Sequence, residues 1–314
     1  MDELERKLLI ELQADPRKSN ARLAKSLGIT ERSVSKKIEH MVTTGELVFT
    51  ALPNMETFGY STSAYIGLKV KRQSSATVIA QELCQCPELR LVSICAGFAD
   101  IFIGGNFKSN AELADFITDY LGKIDGISSI DTMVELRPIK KKLFGRIESD
   151  NTSSLIPPTK LNVTIDDMDY RLVLELQKDS RAPLKKLATD LNLSPPTIKR
   201  RIKRLVSSGA LELTAIPKAT IIGYPTDGVI GIVGELKDLT RIAKNVGQYT
   251  TLVGMVGIYS GPIQLLAYIS APDSESLVQF ATKTLSKIDG VNRVDFLIVL
   301  ETVKRTLPSI RLNQ

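Results

Sequence analysis

The chain repeats itself at a fixed spacing of 164 residues, and any fold it adopts must accommodate two copies of one plan. The segment LLIELQAD at Leu8–Asp15 returns as LVLELQKD at Leu172–Asp179, and Lys123-Ile124-Asp125-Gly126 returns as Lys287-Ile288-Asp289-Gly290. The same spacing pairs Leu23-Ala24 with Leu187-Ala188, Gly45 with Gly209, Pro53 with Pro217 and Gly59-Tyr60 with Gly223-Tyr224. A spacing that holds from end to end is a tandem duplication with almost no insertion or deletion. The joint is expected within Phe144–Asn162, where a polar run and Pro157-Pro158 interrupt the periodicity as a linker does.

Composition limits what each copy is. With 43% hydrophobic and 24% charged residues over 314 positions, the chain reads as ordinary globular domains. Apolar runs fall short of the roughly 20 residues that cross a bilayer, and the acidic start Met1-Asp2-Glu3 is unlike a secretory signal. A cytoplasmic protein without membrane association is the expectation. Cys84, Cys86 and Cys95 have neither C-x-x-C spacing nor nearby histidines, so they are expected to be reduced, mostly buried thiols, with no metal site. The net charge of +6 suits a polyanionic partner, and its meaning depends on where the charge sits.

In the second repeat, Met168, Leu172, Val173 and Leu176 recur at helical spacing behind Asp166, an N-cap residue. A second helix is expected over 183–191. After an Asn192-Leu193 turn, Ser194 caps a third helix with Pro195 in its first turn, and Gly209 closes it. The segment 211–216 reads as a short β wing. Three helices, a tight turn and a wing predict a winged helix-turn-helix whose third helix enters the major groove. At 100° per residue, Ile198, Ile202, Leu205 and Val206 form one apolar stripe. Pro196, Thr197, Arg200, Lys203 and Arg204 lie opposite it, with Lys199 and Arg201 on the flanks. A basic face opposed to an apolar stripe fits contact with phosphates and base edges.

The first repeat follows the same plan, with Thr30 as cap and Val34, Ile38, Met41 and Val42 as the buried stripe. Its outward face differs, because Lys36, Glu39 and His40 stand where Arg200, Lys203 and Arg204 stand in the second. Arg32, Ser33, Ser35, Lys36 and Lys37 remain as candidates to read or position DNA, so the two modules are expected to be unequal. His40, the one histidine in the chain, is read as a surface residue or a phosphate contact.

The remainder of each repeat runs strand, helix, strand, strand, helix, strand. In the first copy the expected elements are 63–70, 76–84, 90–96, 100–107, 110–123 and 129–136. In the second they are 228–236, 239–246, 252–258, 263–270, 274–287 and 291–300. This order is that of a ferredoxin-like βαββαβ domain, with both helices on one face of an antiparallel sheet. The other apolar face needs cover, commonly by another copy of the same sheet, so a homodimer or higher homo-oligomer is expected. The fold class is therefore α+β: two winged helix-turn-helix domains and two ferredoxin-like βαββαβ domains in tandem. The expected boundaries are 1–53, 58–142, a linker at 143–162, 163–217 and 222–310.

The stretch Leu193-Ser194-Pro195-Pro196-Thr197-Ile198-Lys199-Arg200-Arg201-Ile202-Lys203-Arg204-Leu205, followed by Gly209, resembles the recognition helix of the leucine-responsive and asparagine-synthase regulators, the Lrp/AsnC family. Gly97-Phe98-Ala99-Asp100 is similar to that family's effector loop, and the resemblance covers nearly the whole chain twice. It implies double-stranded DNA as partner and a sensory (RAM-type) domain that pairs through its sheets and binds an amino acid or related small molecule near the central turn. Asp100 is then the expected partner of an effector ammonium, with a plain polar turn residue as the alternative. The second turn, Tyr259-Ser260-Gly261-Pro262-Ile263-Gln264, has Gln264 in the place of Asp100 and so suits a less cationic effector or none. Two copies per chain depart from the family's one, which puts the usual subunit symmetry in question.

Two other functions compete with that of a regulator. Sirohaem decarboxylases also resemble this family and come as two related halves, but such chemistry calls for histidine or similar groups in the sensory cleft, and His40 lies in the DNA-reading helix. A non-DNA sensory or assembly protein is disfavoured by the basic helix of the second repeat. No nucleophile and base pair, phosphate-binding glycine loop or ligand cluster stands out. No catalytic residue, metal or cofactor is expected.

Overall fold

The computed structural model describes residues 2–141, 163–249 and 252–310. The first repeat contains α1 (Glu3–Ala14), α2 (Asn20–Leu27), α3 (Glu31–Thr43), β1 (Leu47–Pro53), β2 (Thr62–Val70), α4 (Ala76–Leu83), β3 (Leu89–Gly97), β4 (Ile101–Phe107), α5 (Asn110–Asp115) and β5 (Ile127–Lys141). The second contains α6 (Asp167–Lys178), α7 (Leu184–Asp190), α8 (Pro195–Ser207), β6 (Leu211–Pro217), β7 (Thr226–Gly234), α9 (Leu239–Gly247), β8 (Val253–Tyr259), β9 (Leu265–Ala271), α10 (Ser274–Gln279) and β10 (Val291–Arg305). The linker expected at 143–162 lies outside the described residues.

Local chemistry accounts for the helix ends. Asp2 and Asp166 each accept the amide three residues on, while Glu5 and Asp169 reach back to the cap amides, forming two capping boxes. Thr30 and Ser194 cap α3 and α8 through the amides of Ser33 and Thr197. Gly45 and Gly209 follow those helices at φ +69° and +76°. The helices expected over 110–123 and 274–287 begin as α5 and α10, then widen into π turns at Phe116–Tyr120 and Phe280–Thr284 and tighten again as far as Lys123 and Lys287.

The wings do not stay within their own domains. Strand β1 pairs antiparallel with β6 of the other repeat, with Thr50 opposite Thr214. Those two residues occupy the same place in their repeats, so a two-fold axis passes through the ribbon. The apolar stripes also need correction. Val42 and Val206, expected to be buried, are 45% and 43% exposed, while Val34, Met41, Ile198, Ile202 and Leu205 are buried. The two valines lie late in their helices at the margin of the stripe, where the domain core has already curved away.

Each sensory repeat forms the ferredoxin-like strand order, β3-β4-β2-β5 in the first and β8-β9-β7-β10 in the second. The two sheets then join edge to edge, β5 to β8 and β10 to β3, and close an eight-stranded barrel. The registers repeat across the axis: Glu135 pairs with Tyr259 and Val299 with Cys95, with bulges at matching places. Closure leaves the barrel itself without a free sheet edge among the described residues. Helices α4 and α5 pack outside one sheet, on a core of Ile66, Leu83, Ile103 and Phe107. Helices α9 and α10 cover the other with Ile232, Val246, Leu265 and Leu277.

The apolar face expected to be covered by another copy of the sheet is buried inside the barrel. Tyr65, Leu91, Phe102, Met133, Leu266 and Leu297 fill the space between the two sheets of one chain. The cover that each sheet requires is thus supplied by the other repeat of the same chain. Duplication places the partner sheet on the same polypeptide, where its effective concentration exceeds that of any separate chain.

Strands β5 and β10 run five residues beyond the sequence expectation, and each carries a lysine onto the other repeat. Lys140 is buried, and its Nζ donates to the Gly247 carbonyl at 2.9 Å, at the end of α9. Its counterpart Lys304 donates to the Cys84 and Cys86 carbonyls at 3.0 and 2.6 Å, just past α4. Each ammonium thus meets carbonyls left open at a helix C-terminus. Lys304→Met is expected to destabilise the protein by about 2 kcal/mol, because half-buried carbonyls lose a charged donor. Urea denaturation followed by circular dichroism checks this, and a midpoint equal to the parent's would show that water replaces the lysine without cost.

Candidate nucleic-acid interface and sensory turns

The core of the second helix-turn-helix fixes which side of α8 faces out. Ile198, Ile202 and Leu205 pack with Leu172, Leu176 and Leu187, joined by Phe58 and Tyr60 from the connection between β1 and β2. Pro196, Lys199, Arg200 and Lys203 are consequently exposed. None of the three cations has an ion pair or hydrogen bond among the described residues. Thr197 is half-buried, and its hydroxyl lies 2.8 Å from that of Ser194.

Arg201 and Arg204, counted among the DNA contacts from sequence, turn toward their own domain. Arg201 Nη1 donates to both Asp166 oxygens at 2.9 and 2.8 Å and to Asp169 Oδ1 at 2.8 Å. Arg204 donates to the Thr164 carbonyl at 2.7 Å and to Asp169 Oδ2. The Asp169 side chain is wholly buried. A carboxylate taken out of water needs cations, and this one draws two arginines off the open face. In the first repeat Lys37 makes the matching contacts, to Asp2 at 3.3 Å and Glu5 at 3.1 Å. Hydrogen bonds to these carboxylates raise the affinity of the Lys37 ammonium and the Arg201 guanidinium for their protons. Arg32, Ser33, Ser35, Lys36, Glu39 and His40 are exposed on α3. Sequence reasoning missed these ion clusters, although the capping-box spacing of Asp2 with Glu5 and of Asp166 with Asp169 signalled them.

The two sensory turns face the seams between repeats. Gly97 (φ +135°) sits where an added Cβ would lie 2.2 Å from the Phe296 carbonyl oxygen in β10. Gly261 (φ +105°) approaches the Thr132 carbonyl in β5 in the same way, at 2.7 Å. Ala99, Tyr259 and Ile263 are buried in the barrel core, and half-buried Phe98 meets the Phe102 ring edge-on. Ser260 bonds Val134 twice, its amide donating to the carbonyl at 2.9 Å and its hydroxyl accepting from the amide at 3.2 Å.

Asp100, expected to await an effector ammonium, already has both oxygens engaged. Oδ2 accepts the Val70 amide at 2.9 Å, and Oδ1 holds Lys69 Nζ at 3.1 Å. Burial pushes this carboxyl up, but the Val70 amide and the Lys69 ammonium outweigh it and hold it below the usual range. Gln264 does the same work in the second repeat, accepting the Gly234 amide at 3.0 Å through Oε1. Val70 and Gly234 lie beside matching bulges, in the β2–β5 and β7–β10 ladders. The position thus supplies an acceptor where the ladder is broken, and its charge is partnered by Lys69.

Other polar groups point inward unforeseen. Arg90 donates to the Tyr65 hydroxyl at 2.7 Å, with its guanidinium 4.9 Å from that ring's centre. Its Nε is buried without a partner among the described residues. Arg305 pairs with Asp227 at 2.7 Å and with the Tyr268 hydroxyl. Burial raises the Tyr259 and Tyr268 hydroxyls well above the ordinary tyrosine value. Cys86 and Cys95 are buried free thiols pushed up to about 12 by desolvation, and Cys84 is half-buried. No group of His, Cys, Asp and Glu among the described residues is arranged to hold a metal, and no described helix is long and apolar enough to cross a membrane.

Comparison with known proteins gives this geometry its context. A model of the AsnC-type helix-turn-helix domain matches residues 1–42 and 165–206, and one of the Lrp/AsnC ligand binding domain matches 63–143 and 236–308. An uncharacterized HTH-type transcriptional regulator of Pyrococcus furiosus is 34% identical over 148 residues, which are 47% of this chain and 99% of the relative. The HTH-type transcriptional regulator LrpA of Pyrococcus horikoshii is 31% identical over 143 residues, 45% of this chain and 99% of its own. The crystal structure of the siroheme decarboxylase NirDL superposes with a TM-score of 0.69, covering 98% of this chain and 94% of that one. At 16% identity that likeness shows a shared fold alone. With both domain types matched twice and relatives aligned over nearly their full length, the chain belongs to the Lrp/AsnC family, with two helix-turn-helix and ligand-binding units on one polypeptide.

Proposed function

We propose that this protein is a transcription regulator that grips double-stranded DNA through the exposed faces of α3 and α8 and answers to an amino acid or related small molecule. The observation that carries the reading is the outward face of α8. Lys199, Arg200 and Lys203 are exposed and unpartnered among the described residues, opposite a buried Ile198, Ile202 and Leu205. Such cations displace condensed counterions from the duplex, so affinity falls steeply with salt. A DNA partner implies a cytoplasmic site of action. The effector is assigned to the two sensory turns at the repeat seams, where bound ligand bears on how the halves sit together.

Fluorescence anisotropy with duplex DNA selected from a random pool tests the reading. Arg200→Ala with Lys203→Ala is expected to lower affinity about 100-fold and to reduce the log–log salt slope by about 2. Both side chains are exposed, so the melting temperature should hold. Unchanged affinity and slope would sink the proposal. An amino-acid panel added to the same titration should contain a compound that shifts the binding curve. Catalysis is not part of this proposal, and a Soret shift with carbon dioxide release on mixing with sirohaem would count for an enzyme instead.

A further inference from the structure

The two-fold pairing through Thr50 and Thr214 sets α3 against α8 as equivalent elements of one polypeptide, and the barrel seams repeat the same correspondence between the copies. In a dimer of identical chains, a two-fold axis makes the two recognition helices chemically identical, and the site they read is a palindrome. Here the backbone keeps the axis and the side chains break it. Ser35 stands where Lys199 stands in the second copy, Lys36 matches Arg200, Glu39 matches Lys203, and Arg32 matches Pro196. All eight are exposed.

We infer that a single chain reads one complete operator whose two half-sites differ in sequence, so that the protein sits on DNA in one fixed direction. The inference rests on the DNA-binding role proposed above and adds stoichiometry, asymmetry and polarity to it. Charge sets the first difference. The exposed cations Lys199, Arg200 and Lys203 of α8 face no carboxylate of their own helix, whereas Arg32 and Lys36 of α3 share their face with Glu39. The α8 half therefore supplies most of the counterion release, and the α3 half contributes little to the salt slope. Chemistry sets the second difference. Arg200 and Lys203 are donors suited to guanine or to phosphate. Glu39 is an acceptor suited to the cytosine amino group and repelled by phosphate. A base pair that satisfies Lys203 leaves Glu39 facing the wrong groups, so the two helices do not exchange half-sites without cost.

The full chain decides this by selection of duplexes from a random pool, followed by native mass spectrometry of the complex. One chain per duplex and a non-palindromic motif are expected. Two symmetrised duplexes, each made by duplicating one half-site, should both bind at least tenfold more weakly than the selected one. Lys203→Ala should lower the salt slope by about 1 and relax the sequence preference in the α8 half-site alone, while Glu39→Ala should relax it in the α3 half-site alone. A palindromic motif with equal halves, or a complex that needs two chains per operator, would overturn the inference while leaving DNA binding in place. Absence of any salt-sensitive DNA binding would overturn the proposed function and this inference together.

Discussion

Gly97→Ala is expected to destabilise the protein by about 3 kcal/mol or more, and the reason is the seam between the repeats. At φ +135° an L-residue already occupies backbone space reserved for glycine, at a cost of roughly 1–3 kcal/mol. The new methyl would lie 2.2 Å from a carbonyl oxygen of β10, and backbone held in a closed barrel has no easy direction in which to retreat. Gly261→Ala should act in the same sense and less strongly, since its contact with the Thr132 carbonyl is 2.7 Å. Gly45→Ala provides the reference: its φ of +69° carries the left-handed penalty, but nothing lies within 4 Å of the added atom, so about 1–2 kcal/mol is expected. Chemical denaturation of the three variants should give that order. Equal losses at Gly97 and Gly45 would show that the seam opens freely, and the barrel would then not be the rigid unit that joins the halves.

The same seam marks where sequence reasoning stopped. A duplication kept at one spacing makes element order legible twice over, so the capped helices, the turn glycines and the βαββαβ plan follow from the residues alone. Periodicity reports that a face is buried but not what buries it, and the apolar inner face of each sheet reads alike whether its cover is a second chain or a second repeat. Irregular ladder positions were equally silent. The bulge between Leu89 and Leu91 accompanies the inward turn of Arg90, which simple alternation does not forecast. Lys140 and Lys304 lay beyond the expected strand ends because charge breaks an apolar pattern, although their ammonium groups serve helix termini across the seam. On the recognition helices, a wheel sorts residues by angle without regard to reach. Arg204 sits on the outward side by angle, yet its long side chain bends back to a buried carboxylate.

That carboxylate carries the other large expected effect. Asp169→Ala should destabilise the second helix-turn-helix by about 3 kcal/mol, because removing one member of a buried ion cluster strands the charges that remain. Asp169 accepts Arg201, Arg204 and the Asp166 amide, so the change also dismantles the capping box that starts α6. The loss is expected toward the lower end for such clusters, since the two arginine side chains are 23% and 39% exposed and water can reach them. Glu5→Ala, at the matching place in the first repeat, should cost 1 kcal/mol or less, because Glu5 and Lys37 are both partly solvated. The cluster also sets an acid limit. Burial pushes the Asp166 carboxyl up, but Arg201 and the Asp169 amide outweigh burial and hold it below its ordinary value. Its contribution is present above an unfolded value of about 3.9 and is lost as pH falls through the lower folded value. Far-UV melting curves of Asp169→Ala and the parent at pH 7 read the stability, and the salt slope for DNA reads the function. Asp166 still holds Arg201, but Arg204 loses its carboxylate and becomes available to phosphate, so the variant should bind nonspecific DNA more tightly and with a steeper slope while it remains folded. Parental values in both measurements would mean that Arg201 and Arg204 were never held, and the DNA-facing surface of α8 would then include them.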